Sequence, residues 1–154
     1  MKPAKALRYC IIGLVILTVA LFALSLHTLF TSLFTVMQGE AFGLDLDKNE
    51  STGDWTFTLD ANPKNGAILG IQLSVQLEIV SPEGESLAKD STSVYIDAGG
   101  QSQFALTLSI PAEDVQRFLL EDQEGIFEMK FGISTLGDLV GFTQTMRITG
   151  EAPI

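Results

Sequence analysis

Leu69-Gly70-Ile71-Gln72-Leu73-Ser74-Val75-Gln76-Leu77-Glu78-Ile79 places an apolar side chain at every odd position and a small or polar one at every even position. A period of two belongs to a β-strand, whose successive side chains point to opposite faces of a sheet. An apolar face this long must be covered, and a second sheet packed against it is the cover that such a strand finds. The flanking sequence repeats the pattern. Phe42, Leu44 and Leu46 alternate with Gly43 and Asp45, and Trp55, Phe57 and Leu59 alternate with Thr56, Thr58 and Asp60, as half-buried strands. Further strands are expected at 92–96, 104–110, 126–133 and 140–148, the last two joined around Gly137-Asp138. Turn chemistry separates them: in Ser81-Pro82-Glu83-Gly84 the proline presets φ and the glycine accepts a positive φ, and Ala98-Gly99-Gly100 makes a second tight turn. Pro111 suits the first turn of a short helix striped by Val115, Phe118 and Leu119, with Gly125 at its end. About seven strands, one short helix and no cysteine pair predict an immunoglobulin-like or fibronectin-like β-sandwich over 40–150.

Upstream of the sandwich the period changes. No residue between Arg8 and Glu40 carries a formal charge, and Ile, Leu, Val, Ala and Phe dominate from Cys10 to Phe34. A bilayer core of about 30 Å takes roughly 20 helical residues, so 9–37 reads as a transmembrane helix with a turn or more to spare. The charges are partitioned around it. Lys2, Lys5 and Arg8 give the tail 1–8 a charge of +3, whereas six basic residues against all nineteen acidic ones leave the remainder at −13. The positive-inside rule then keeps the tail cytoplasmic and exports the C-terminal domain. A basic tail before an apolar core also describes a secretory signal, with Ala23-Leu24-Ser25 as its small-x-small cleavage site. The apolar pattern continues through Leu26, Leu29, Phe30, Leu33, Phe34, Val36 and Met37, past the roughly 7 to 15 residues of a signal core, which favours an uncleaved signal anchor.

The helix has distinct faces. Thr18, Ser25 and Ser32 recur every seven residues, Leu21, Thr28 and Thr35 follow three behind, and Phe22, Leu26, Phe30 and Phe34 form a bulkier face at i+4 steps. A stripe of small hydroxyl residues lets membrane helices approach closely, so Thr18, Ser25, Thr28, Ser32 and Thr35 are candidates for packing against a partner helix or a second copy. The alternative is that each hydroxyl bonds its own i−4 carbonyl. His27, the single histidine, falls near the outer end of the span and reads as an interface residue rather than a proton or metal site. Cys10, the single cysteine, sits at the inner edge and reads as a small apolar residue.

Composition excludes much. Hydrolytic triads, zinc sites and thiol chemistry draw on His or Cys, and the domain beyond residue 40 has neither, so no catalytic residue, cofactor or metal site is expected. Its negative charge is a poor match for nucleic acid. Asp45-Leu46-Asp47-Lys48-Asn49-Glu50 has ligand types at alternate positions, but Glu50 stands where a calcium loop needs glycine and Thr56 where it needs a bidentate glutamate; a polar hairpin loop is expected. Asn49-Glu50-Ser51 is a glycosylation sequon on the exported side.

Asn62-Pro63-Lys64-Asn65, at the end of one strand and just before the long alternating one, resembles the Asn-Pro signature of the late embryogenesis abundant type 2, or WHy-domain, proteins. The order of strands, the Gly99-Gly100 turn, Leu108-Ser109-Ile110-Pro111 and the short helix is also similar to that family over about 40–150. The resemblance implies a β-sandwich with a helix, a membrane-anchored member, no catalytic residues, and a role in protection under water stress or in binding lipid or another apolar ligand. Asn62 and Pro63 match the motif, and their expected work is to shape a turn. The function expected is thus that of a single-pass membrane-anchored, extracytoplasmic, non-enzymatic binding or stress-protection protein. A structural subunit of a cell-envelope assembly, stator-like or attaching a surface layer, is the alternative.

Overall fold

The computed structural model describes residues 3–37, 42–81, 84–120 and 125–150. Lys2, Glu40 and Pro82-Glu83 lie outside the described residues, as do the side chains of Lys5, Val36, Met37, Phe118 and Leu119. In chain order the elements are α1 (Pro3–Met37), β1 (Phe42–Lys48), β2 (Trp55–Ala61), β3 (Ile71–Val80), β4 (Ser86–Ile96), β5 (Phe104–Ile110), α2 (Ala112–Leu120), β6 (Gly125–Thr135) and β7 (Val140–Gly150).

The strands form two antiparallel sheets, β1-β2-β5 and β4-β3-β6-β7, packed as a sandwich. In constant-type immunoglobulin domains the fourth strand joins the sheet of the first, second and fifth; here β4 stays beside β3, the fibronectin-like alternative. The long alternating stretch is central: β3 pairs with β4 on one side and β6 on the other, and Ile71, Leu73, Val75 and Leu77 are fully buried. They pack with Leu59, Ile96, Leu106, Leu108, Phe131 and Ile133. Each such side chain contributes about 1.5–3 kcal/mol on burial.

Edge strands depart most from expectation. Strand β4 starts at Ser86, earlier than the expected 92, because a strand at the edge of a sheet needs no apolar residue at every second position and Ala88-Lys89-Asp90-Ser91 does not advertise itself. On β1, also an edge, Leu44 and Leu46 keep the expected alternation yet are exposed. The helix after Pro111 is present, but Gly125 opens β6 instead of ending α2. Asp54 caps α2 from a distant loop: its Oδ1 accepts the Ala112 N–H at 2.9 Å.

Helix α1 holds the one segment among the described residues, Leu7–Thr35, long and apolar enough to cross a membrane, a property that an N-terminal signal sequence shares. From Leu7 to Ala23 its side chains are exposed all round. From Ser25 onward one face is buried, through Ser25, Thr28, Leu29 and Ser32, the spacing of one side of a helix. Leu29 joins the core of the sandwich, Leu33 packs against that core, and α1 meets β6 and β7.

Candidate functional site

The docking of α1 on the sandwich centres on Asn65, in the connection between β2 and β3. Its side chain is fully buried and uses its whole hydrogen-bonding capacity. The amide nitrogen Nδ2 donates to the carbonyls of Leu69 at 2.8 Å, Asp97 at 3.0 Å and Ile96 at 3.2 Å. Oδ1 accepts the Ala67 N–H at 3.0 Å and the Ser32 hydroxyl at 2.9 Å. The backbone joins in, with the Asn65 N–H donating to Gly100 O at 2.9 Å and the Ser102 N–H to Pro63 O at 3.2 Å. One residue thereby ties together two loops and the apolar helix. Gly66 makes the close approach possible: a Cβ there would lie 3.0 Å from Thr35 Oγ1.

The hydroxyl stripe read from the sequence divides accordingly. Ser25, Thr28 and Ser32 face the chain's own domain, whereas Thr18 lies on the exposed part of α1 and donates to Leu14 O at 2.9 Å. Ser25 and Thr35 also bond back one turn, to Leu21 O and Thr31 O, each at 2.8 Å. Thr28 Oγ1 is buried with no hydrogen-bond partner among the described residues. His27 is exposed, as is Cys10.

Within the Asn-Pro segment, Asn62 is exposed and its side chain bonds nothing among the described residues, while Pro63 is fully buried. The residue that organises the junction is Asn65, which sequence reasoning quoted but did not single out. Its available signal was the small pair Gly66-Ala67 behind it, a composition that leaves room for another element. Asn49, at the far end of the sandwich, is exposed and accepts the N–H groups of Ser51 at 2.9 Å and Thr52 at 3.3 Å, an Asx turn that shapes the β1–β2 loop.

The outer face of the four-stranded sheet is polar. A cavity of about 260 Å³ lies at its α1 end, lined by Gly70, Gln72, Tyr95, Ser134, Leu136 and Asp138. A shallower groove of about 490 Å³ follows, lined by Ser74, Gln76, Ser91, Ser93, Lys130 and Thr143. Hydroxyl, amide and carboxylate groups with one ammonium offer hydrogen bonds to a polar ligand, and within the cavity the Ser134 hydroxyl donates to Asp138 Oδ1. Among the described residues no group of three or more His, Cys, Asp and Glu side chains is placed to hold a metal.

No family model matches the chain, and no curated protein matches it. Solved structures resemble its fold. A protein from Archaeoglobus fulgidus is 10% identical with a TM-score of 0.46, over 75% of this chain and 98% of that one. A β-glucuronidase of glycoside hydrolase family 2 is 10% identical with a TM-score of 0.43, over 71% of this chain and 11% of the enzyme. The β-glucuronidase of Bacteroides uniformis is 10% identical with a TM-score of 0.46, over 71% of this chain and 13% of the enzyme. The chain thus spans only a small part of the glycosidases it resembles, and the likeness is one of β-sandwich shape.

Proposed function

We propose that this chain is a single-pass membrane protein whose sandwich works outside the membrane as a non-enzymatic binding or protective module of the WHy type. The carrying observation is the buried Ser32–Asn65 hydrogen bond, which with Leu29 in the core makes the end of the apolar helix part of the domain. A helix joined in this way holds the sandwich at a set height and attitude at the membrane surface. The polar outer face of β4-β3-β6-β7 is then presented to ligands in the space outside. The basic tail supports a cytoplasmic N-terminus. A lipid or other apolar ligand, a partner helix and a second copy are the partners this reading admits; nucleic acid is not among them.

Native mass spectrometry of the full-length chain, extracted gently from its own membrane, tests the reading. A bound lipid or small molecule at fixed stoichiometry supports it. A bare chain that travels only within a larger assembly overturns it in favour of a structural subunit of the cell envelope.

A further inference from the structure

Leu136, Gly137 and Asp138 occupy left-handed backbone conformations in succession, with φ of 54°, 64° and 68°, at the tip of the β6–β7 hairpin. A leucine in that region is strained, and a tight hairpin is made more readily by Asn-Gly or Asp-Gly. The turn nonetheless holds Leu136 partly exposed and Leu139 82% exposed, with Phe142 at 44% just behind them on β7. Strained backbone that presents apolar side chains marks a surface with a partner.

Helix α1 says which partner. The uncharged stretch Tyr9 to Leu24 spans roughly 24 Å at about 1.5 Å per residue, most of the thickness of a bilayer's hydrocarbon core, and docking on the sandwich starts at the next residue. The strands that α1 meets are β6 and β7, and their hairpin follows Thr135, which pairs with Ile71 at the end of the sandwich where Ser32 bonds Asn65. The free face of the docked segment stays apolar there: Phe30 and Phe34 are 65% and 67% exposed, and no charge appears before Glu40.

We infer that the β6–β7 hairpin seats Leu136, Leu139 and Phe142 in the outer interfacial layer of the same bilayer, giving the sandwich a second foothold beside its helix. The contact is apolar, since a domain this acidic gains nothing from anionic headgroups. The inference rests on the membrane-spanning reading of α1.

The test uses the full-length chain carrying Cys10→Ser and, one at a time, Leu139→Cys, Phe142→Cys, Ile16→Cys or Ser51→Cys. Each is labelled with an environment-sensitive fluorophore in phosphatidylcholine nanodiscs that hold shallow or deep lipid-borne quenchers. Labels at 139 and 142 are expected to shift to the blue and to be quenched from the shallow position, without dependence on salt. The label at 51, at the opposite end of the sandwich, does neither, and the label at 16 is quenched from the deep position. Labels at 139 and 142 that behave like the one at 51, while 16 is quenched, overturn the foothold and leave the span standing. A label at 16 untouched by either quencher overturns the span itself. Shielding at 139 from lipid-borne and water-borne quenchers alike, rising with chains per disc, makes a second copy the cover and overturns the inference.

Discussion

Replacing Asn65 by aspartate changes one nitrogen to oxygen and tests whether the junction is held as described. The amide donates its two protons among three carbonyls at 2.8, 3.0 and 3.2 Å. A carboxylate oxygen in that place donates none and repels all three. The lost bonds are worth about 1 kcal/mol each, and stranding buried acceptors adds about 1–3 kcal/mol, for a total of about 4 kcal/mol. Ser32→Ala removes a single bond and leaves Oδ1 its bond from Ala67, so about 1 kcal/mol is expected. In a domain of this size each kcal/mol moves Tm by about 4 °C, so the two variants should fall about 15 °C and about 4 °C below the parent. Thermal melts of the full-length chain in nanodiscs, followed by the strand signal in circular dichroism, give both numbers. A loss below about 1 kcal/mol for Asn65→Asp would refute the tie between the loops. Equal losses for the two variants would shift the weight from the loops to the helix.

Thr28→Val replaces a buried hydroxyl that has no partner among the described residues by a methyl of the same shape and should stabilise the chain by about 1 kcal/mol, read in the same melts. Leu136→Asn relieves a left-handed leucine and should raise stability by about 1 kcal/mol while weakening the shallow-lipid contact of the hairpin, so stability and seating move in opposite directions. Asp54→Ala removes the cap on α2 and should cost about 1 kcal/mol in chemical denaturation. The chain purified from membranes should keep its whole 16.6 kDa by intact mass; a product starting after Ser25 would identify α1 as a cleaved signal.

Period-two alternation revealed β3 because its burial is one-sided and local. It failed where burial is slight: the first half of β4 lies on an edge and carries Lys89 and Asp90 without penalty. The hydroxyl stripe of α1 is periodic too, but a periodicity does not say what covers a face. Ser32 and Asn65 are 33 residues apart, and neither the distance nor the pairing leaves a trace in local pattern. Asn62 was the conspicuous residue because it precedes a proline; Asn65 matters because of three carbonyls that only the folded loops bring to it.

The docked helix also orders the chain's own biogenesis. Leu29 is made early, as part of the apolar segment, yet it belongs to the same core as Phe131 and Ile133 of β6. The strands that α1 meets, β6 and β7, are made after the other five, so closure of the core waits for them. Until then the hydroxyl face of the helix has no domain to rest on. A chain halted before β6 would hold a finished helix and an unfinished sandwich, an intermediate whose apolar face has nothing to cover it.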